Sequence, residues 1–171
     1  MIVSRDEAEK KANLLVSKFE TRDPYKLADA LGITILENNF KKQKGVYKVI
    51  EKNRFIFIKQ DLDPVMKSIV LLHEIGHDQL HRTQAIKAGG FQEFNIFEMR
   101  NIRMEYEANI FAASVSLEDS EVLELAYDGY DIAQIAKALN SDINLLALKL
   151  ANLKTKGHDF RGHDFDARFL R

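Results

Sequence analysis

The run LLHEIGHDQLHR, residues 71–82, places three of the chain's five histidines beside a glutamate. His73 and His77 are four residues apart, so on an α-helix they share one face, about 40° apart and about 6 Å apart along the axis. Two imidazoles in this arrangement can bind one metal ion, and Glu74 lies beside the first of them. The spacing His-Glu-x-x-His therefore predicts a helix that binds Zn²⁺ and carries a general base for hydrolysis.

A third protein ligand is expected, because catalytic zinc sites usually combine three protein ligands with one water molecule. The chain has no cysteine, so this ligand must be a histidine, an aspartate or a glutamate. The stretch RMEYEANIFAAS, residues 103–114, offers Glu105 and Glu107, whose side chains point about 200° apart on a helix. We predict Glu105 as the third ligand, since it shares a helix face with Asn109, which could orient a ligating histidine by a hydrogen bond.

His81 continues the four-residue series, but on a helix it lies about 12 Å from His73 along the axis. One ion cannot easily be bound by both. The longer three-histidine zinc motif would need a histidine ten positions after the first, where this chain has Thr83. We therefore expect His81 to lie at the edge of the core or behind the ligands.

The segments before the motif predict two helices and a small sheet. Apolar residues at helical spacing indicate a helix from Arg5 to Glu20, and Asp23-Pro24 has the pattern that begins a second helix, which Gly32 ends. Three β-branched and aromatic runs follow, and we interpret them as a three-stranded antiparallel meander: ITIL (33–36), GVYKVI (45–50) and RFIFIKQ (54–60).

Helices dominate the rest of the chain. Asp63-Pro64 repeats the cap pattern at the start of the motif helix. A loop over residues 88–95 is expected before a helix from Phe97 to Leu117, and a short helix from Ser120 to Tyr127 follows. The run DIAQIAKALNSDINLLALKLANLK, residues 131–154, predicts two helices broken at NSD, where a Ser-Asp pair can cap the second. The pattern predicts an α+β, mostly helical fold.

Length and composition indicate one globular domain. The 171 residues are 46% hydrophobic and 30% charged, which supports a core and a polar surface and excludes wholesale disorder. We predict a domain of residues 1–153, ending in a helix-turn-helix-like pair at 131–153, and a tail of residues 154–171. No signal peptide or bilayer-length apolar run is evident, and the formal net charge of -1 gives no overall attraction to anionic membranes. We therefore expect a cytoplasmic location without membrane association.

The two motifs together resemble the ImmA/IrrE family of metallo-endopeptidases, which bacteria and their mobile genetic elements encode. The family pattern, a His-Glu-x-x-His helix and a later Glu-x-x-Ala-Asn/Asp/Ser-x-Phe-Ala, is matched here by HEIGHDQLHR and EYEANIFAAS. The chain departs at residues 114–117, which read SVSL where many members have LLMP. The resemblance implies a minimal, gluzincin-like zincin fold with His73, His77 and Glu105 as zinc ligands and Glu74 as general base.

The resemblance also implies a substrate, because better-known family members relieve repression by site-specific cleavage of helix-turn-helix repressors. We therefore expect a zinc-dependent endopeptidase with one catalytic Zn²⁺ that acts as an anti-repressor on a partner protein. The strand around Phe55 to Lys59, through Phe55 and Phe57, would bind an extended substrate segment if it is the sheet edge beside the cleft.

A non-proteolytic function stays open from the sequence, with the helix pair at 131–153 sequestering its partner. Its second helix carries four leucines that are not all expected to be buried in one small domain: Leu145, Leu146, Leu148 and Leu150. The pair could instead bind DNA, but it offers mainly three polar side chains for that purpose: Asn144, Lys149 and Asn152. Direct nucleic-acid binding is therefore not expected, and the oligomeric state is not predicted.

Overall fold

The computed structural model of the chain describes residues 5–87 and 99–160. The loop predicted at 88–95 and the predicted tail from residue 161 onward lie outside these residues. The chain divides into two compact units, Met1–Val115 and Ser116–Arg171. The first contains the sheet and both sequence motifs, and the second contains the last three helices. Seven helices and three strands among the described residues give an α+β architecture, which confirms the predicted fold class.

The first two helices begin and end as their residue types predict. Helix α1 (Arg5–Phe19) buries a stripe of small and apolar side chains along one face: Ala8, Ala12 and Leu15. Helix α2 (Pro24–Leu31) is capped by the Asp23 carboxylate, which accepts hydrogen bonds from the first free backbone N–H groups. It ends at Gly32, whose φ of 69° is the left-handed conformation that glycine adopts without a steric penalty.

The three strands form a mixed sheet, so the predicted antiparallel meander is wrong. Strand β2 (Gly45–Ile50) pairs antiparallel with β3 (Asn53–Lys59), while β1 (Ile33–Asn38) pairs parallel with β3, in the order β1-β3-β2. The turn residues Glu51 and Lys52 have φ of 48° and 68°, as in the tight hairpin turns that join neighbouring antiparallel strands. Because this hairpin occupies one edge of β3, β1 pairs with the other edge.

Helices α3 (Pro64–Lys87) and α4 (Met99–Ser116) carry the two motifs. Helix α3 packs against β2 and β3, and Asp63 caps it by accepting a hydrogen bond from the Met66 N–H at 3.0 Å. The guanidinium of Arg22 donates to two carbonyls at the C-terminal end of α4, at 2.8 and 3.3 Å. It thereby satisfies acceptors that have no partner within the helix.

A buried carboxylate joins the sheet to the motif helix. The Tyr47 hydroxyl on β2 donates to Asp78 on α3 at 2.7 Å. Asp78 also accepts hydrogen bonds from Arg54 on β3 at 3.2 Å and from Arg82, one turn along α3, at 2.8 Å. Burial raises the pKa of Tyr47 well above its ordinary value, and the hydrogen bond to Asp78 raises it further. The hairpin and α3 are therefore held together by one fully paired anion.

The second unit contains α5 (Asp119–Tyr127), α6 (Ile132–Ala138) and α7 (Ile143–Thr155). Asp131 caps α6 in a capping box, and Asp142 caps α7, as the Ser-Asp pair predicted. None of the helices within the described ranges combines the length and apolar content needed to cross a bilayer.

Most of the α7 side chains that the sequence suggested for partner or DNA contacts lie inside the protein, while Asn144 is exposed. From the sequence, we expected that the four leucines of α7 would not all be buried. This expectation is wrong, because all four are buried: Leu145, Leu146, Leu148 and Leu150. Lys149 and Asn152 are buried as well, and the Lys149 ammonium pairs with the Asp119 carboxylate. Phe160, in the predicted tail, is also buried, with its ring centroid 5.5 Å from that of Tyr127.

Candidate metal centre

The two motif histidines point their Nε2 atoms at the same space. His73 and His77 lie one turn apart on α3, and their Nε2 atoms are 3.0 Å apart. Their ring planes are inclined by 83°, with centroids 4.7 Å apart, so the rings converge at their tips rather than stacking. One helix therefore supplies two nitrogen donors to a single centre.

A close crossing of two helices brings the third donor to this centre. Gly76 faces Ala108, and a Cβ at Gly76 would lie 3.2 Å from the Ala108 Cα and 3.3 Å from its carbonyl oxygen. Glu105 lies nearly one turn before Ala108, as His73 lies nearly one turn before Gly76. The Glu105 carboxylate accordingly reaches both histidines, with Oε2 3.0 Å from the Nε2 of His73 and Oε1 3.3 Å from that of His77.

The spacing of the three donors fits a small divalent cation. Ligand atoms bound tetrahedrally at about 2.0–2.1 Å from a zinc ion are about 3.3 Å from one another. The two Nε2 atoms are 3.0 Å apart, and the nearest Glu105 oxygens, Oε2 and Oε1, lie 3.0 Å from His73 and 3.3 Å from His77 respectively. Within the described residues, His73, His77 and Glu105 form the group of donors close enough to share one ion. Two imidazoles and one carboxylate are also a donor set of catalytic zinc sites in hydrolases.

Asn109 fixes the orientation of His73. Its Oδ1 lies 2.8 Å from the Nδ1 of His73, and an amide oxygen can only accept a hydrogen bond. Nδ1 therefore carries the proton, and in the neutral ring Nε2 presents a lone pair toward Glu105 and His77. Lone pairs and a carboxylate at this spacing repel one another unless a positive charge lies among them. The arrangement is thus one that a bound cation stabilises.

Burial and neighbouring charges shift the pKa values of the three groups. Burial lowers the pKa of His77 to about 4, so this imidazole is neutral at pH 7. Burial opposes ionisation of Glu105, but its close contacts with His73 and His77 hold the pKa of its carboxyl well below the usual range. Burial also disfavours charge on His73, yet its contacts with Glu105, the charge of Glu74 and its bond to Asn109 raise its pKa. A neutral imidazole and an ionised carboxylate are the forms that bind metal.

Glu74 lies between the three candidate ligands and β2. Gly45 leaves room for it, because a Cβ there would lie 2.9 Å from the Glu74 Oε1 and 2.6 Å from the Val70 Cγ1. Burial raises the pKa of Glu74 to about 7, while the charge of His73 and a hydrogen bond from the Tyr47 backbone N–H act in the opposite direction. A carboxyl with a pKa near 7 is suited to take up and return a proton at neutral pH.

These side chains open into a cleft of about 580 Å³. Its walls include His73, Glu74, His77, Glu105 and Asn109. The remaining lining comes from α3 and from the segment that enters β2: Lys42, Gln43, Lys44, Gly45, Val46, Tyr47, Met66, Ile69 and Val70. The volume lies within the range of ordinary ligand pockets, so part of a peptide can enter beside the candidate metal site.

The strand beside this cleft is β2. The Lys59 N–H donates to the Lys44 carbonyl at 2.8 Å, and antiparallel ladder bonds recur at every second residue. The N–H groups of Gly45 and Tyr47 therefore point away from β3, toward the cleft side.

The prediction that the strand from Phe55 to Lys59 is the sheet edge beside the cleft is wrong, because β3 is paired along both edges. Side chains alternate between the two faces of a strand, so Phe55 and Phe57 lie on the face opposite the fully buried Ile56 and Ile58. Neither phenylalanine is among the residues that line the cleft. Their predicted substrate contacts are not supported by this position.

Three contributors to the site were not identified from the sequence: Gly45, Tyr47 and the relation of Glu107 to His81. A glycine at the start of a predicted strand can indicate that another group packs closely against the backbone there, but it does not identify that group. From the sequence, Glu107 was considered only as an alternative metal ligand. In the structure it faces His81, with its Oε2 2.9 Å from the Nε2 of that ring. His81 itself lies behind His77, away from the three donors.

Comparisons with known proteins agree with one another. A peptidase family model described as the IrrE N-terminal-like domain matches residues 28–151, a segment that contains both motifs. The uncharacterized immunity region protein 2 of Bacillus phage phi105 is 30% identical over 141 residues, which cover 82% of this chain and 84% of that protein. Metallopeptidase ImmA of Bacillus subtilis (strain 168) is 24% identical over 161 residues, or 92% of each chain.

Proposed function

Because this chain belongs to the metallopeptidase family of the IrrE N-terminal-like domain, we propose that it is a zinc-dependent endopeptidase that cleaves a partner protein at a specific site. The observation that carries the proposal is the convergence of His73, His77 and Glu105 on one point, with Glu74 beside it in the wall of an open cleft. The resemblance of the two motifs to the ImmA/IrrE family agrees with the family match.

The roles of the residues follow from their positions. His73, His77 and Glu105 would hold the zinc ion, whose chemistry is to polarise the scissile carbonyl and to acidify a water molecule. Glu74 takes the proton of the attacking water as its oxygen forms a bond to the carbonyl carbon. Glu74 then returns that proton to the amide nitrogen as the C–N bond breaks, which leaves a new carboxyl and a new amine terminus.

Substrate binding is proposed along the outer edge of β2. The Gly45 backbone groups and the Tyr47 carbonyl, which point away from β3, could pair with an extended substrate segment through main-chain hydrogen bonds, whereas the Tyr47 N–H donates to Glu74. Such pairing requires a segment without its own secondary structure. Flexible linkers and locally unfolded regions of a partner are therefore the favoured targets.

A helix-turn-helix repressor is the partner we propose. The chemistry of the cleft does not select this partner by itself; the support comes from the family, whose better-known members act on such repressors. The phage relative is named for an immunity region, which agrees with a role in the control of repression. On this proposal the enzyme acts as an anti-repressor.

The alternative function, sequestration of the partner without cleavage, is supported less by the structure than by the sequence. It depended on an exposed leucine surface on α7, and those leucines are buried: Leu145, Leu146, Leu148 and Leu150. Direct DNA binding depended partly on Lys149 and Asn152, which are buried too. Cleavage is therefore the function that we retain.

The test is a comparison of the parent protein with Glu74→Gln, which keeps the side-chain shape and removes the base. Each zinc-loaded protein is incubated with a bacterial protein extract, and new N-termini are quantified by mass spectrometry. We expect a few specific sites with the parent, a loss of at least about 100-fold with Glu74→Gln, and unchanged zinc content. The exposed Glu124→Gln is the matched control and should cleave normally. Equal cleavage by Glu74→Gln, or no new termini with the parent, would contradict the proposal.

A further inference from the structure

A chain of buried polar groups lies behind His77, on the side away from the other two donors. The Nδ1 of His77 is 3.0 Å from the Nδ1 of His81, and the Nε2 of His81 is 2.9 Å from Glu107 Oε2. The other oxygen of Glu107 accepts a hydrogen bond from the Arg103 Nε at 2.8 Å. His81 is 1% exposed and Glu107 4% exposed, so water cannot replace these partners easily.

Which group donates and which accepts in this row of hydrogen bonds follows from Glu107, the carboxylate at its far end. A carboxylate only accepts, so the Nε2 of His81 must carry a proton and donate it to Glu107. In the neutral His81 ring, Nδ1 then has a lone pair and accepts a hydrogen bond from Nδ1–H of His77. The Nε2 of His77 is left with its lone pair directed toward His73 and Glu105. Each proton position is set by the one before it.

The two ligating histidines are therefore supported differently. His73 is held by the neutral amide oxygen of Asn109, an exposed side chain on α4. His77 is held through a buried imidazole by an anion that an arginine pairs in turn. Both Glu107 and Glu105 come from α4, so this one helix supplies a ligand and also the anion that orients another ligand.

We propose that Glu107 and His81 are positioning residues that hold His77 in its Nδ1–H tautomer, so that its Nε2 is always presented to the metal. The proposal rests on the zinc-binding part of the proposed function. Its consequence is that zinc affinity depends on Glu107, although this carboxylate does not reach the donors of the centre.

The first test needs no substitution and no metal. Nitrogen-15 NMR of the histidine rings in the zinc-free parent protein reports directly which ring nitrogen carries the proton. We expect Nδ1–H for His77 and Nε2–H for His81. The opposite tautomer at either ring overturns the proposal, whether or not the protein later proves to bind zinc.

The second test compares Glu107→Gln with the exposed Glu51→Gln, which removes the same charge elsewhere in the first unit. Zinc dissociation constants are measured by competition with a chelating dye, and folding is checked by urea unfolding of the zinc-free proteins. We expect Glu107→Gln to weaken zinc binding roughly 10- to 100-fold, with a detectable Nε2–H population at His77, and Glu51→Gln to match the parent.

A folded Glu107→Gln protein with parental zinc affinity and an unchanged His77 tautomer would overturn the proposal, since a merely structural role would lower only the stability. If Glu107→Gln does not fold, Arg103→Gln serves in its place, because Arg103 is half exposed and its loss leaves the carboxylate present. Arg103→Gln should also weaken zinc binding, but by a smaller factor than Glu107→Gln. If Arg103→Gln binds zinc as tightly as the parent does, the proposed positioning of His77 by Glu107 and His81 is contradicted. Failure of the parent itself to bind zinc would instead reject the proposed function.

Discussion

At the scale of single residues, two glutamates of one motif have separate partners. Glu105 faces the histidine pair, and Glu107 faces His81. Helical periodicity predicts that they diverge, and it places Asn109 on the Glu105 side. The residue types and their spacing were therefore enough to predict which side chains come together. What spacing could not indicate is the partner of Glu107, because that depends on the rotation of α4 against α3.

The contribution of Asn109 can be measured separately. Asn109→Ala removes the acceptor that holds Nδ1–H of His73 and should weaken zinc binding by roughly tenfold, since partners of metal-bound histidines contribute on this scale. Chelator competition measures the change. Asn144→Ala, at another exposed asparagine, is the control and should bind zinc like the parent. Parental affinity in Asn109→Ala would show that its hydrogen bond does not support the ligand.

At the scale of secondary-structure elements, a glycine–alanine contact sets the distance between the motif helices. Gly76 and Ala108 leave no room for a further methyl group without a shift of the α4 backbone. The cap residues Asp23, Asp63 and Asp142 predicted where helices begin, because capping is local chemistry. The order of the strands was not predictable in this way, since pairing of β1 with β3 depends on contacts distant in sequence.

Enlarging Gly76 tests the helix contact. Gly76→Ala should move Glu105 relative to the histidines and weaken zinc binding by roughly tenfold or more, the scale seen for displaced supporting groups. Thr83→Ala, on an exposed position of the same helix, is the control because both substitutions raise helix propensity, by up to about 1 kcal/mol. Zinc affinity is again the readout. Equal zinc affinities in the two variants would mean that the geometry of the metal site does not depend on the distance between α3 and α4.

At the scale of the whole molecule, the second unit stabilises its helices partly through a buried cation. The Lys149 ammonium on α7 is 2% exposed and pairs with Asp119 at the start of α5, which also contacts Lys156. The sequence could not reveal this burial, because a lysine among leucines is equally compatible with an exposed helix face. The same uncertainty led to the wrong expectation for the leucines around it. Burial depends on how α5, α6 and α7 pack, which local periodicity does not determine.

The Asp119 pair should make the second unit sensitive to acid. Burial opposes ionisation of Asp119, but its contacts with Lys149 and Lys156 outweigh this and lower its pKa. Its stabilisation is therefore present above the ordinary aspartate pKa of about 3.9 and is lost as the pH falls through the lower folded value. Asp119→Asn should cost roughly 1–3 kcal/mol at pH 7, because it removes the charge facing a buried ammonium.

Urea unfolding at a series of pH values measures this effect. The difference between the parent and Asp119→Asn should be largest near pH 7 and shrink below about pH 4. Glu121→Gln removes the other acidic group in the first turn of α5 and controls for its interaction with the helix dipole. A difference that stays constant down to pH 3, or one that Glu121→Gln reproduces, would contradict the assignment.

The most direct measurement is a crystal structure of the zinc-loaded protein with anomalous data collected on both sides of the zinc absorption edge. We predict one strong zinc peak within about 2.0–2.2 Å of the Nε2 atoms of His73 and His77 and of a carboxylate oxygen of Glu105. A zinc peak bound elsewhere, or one that leaves any of these three side chains uncoordinated, would contradict the account.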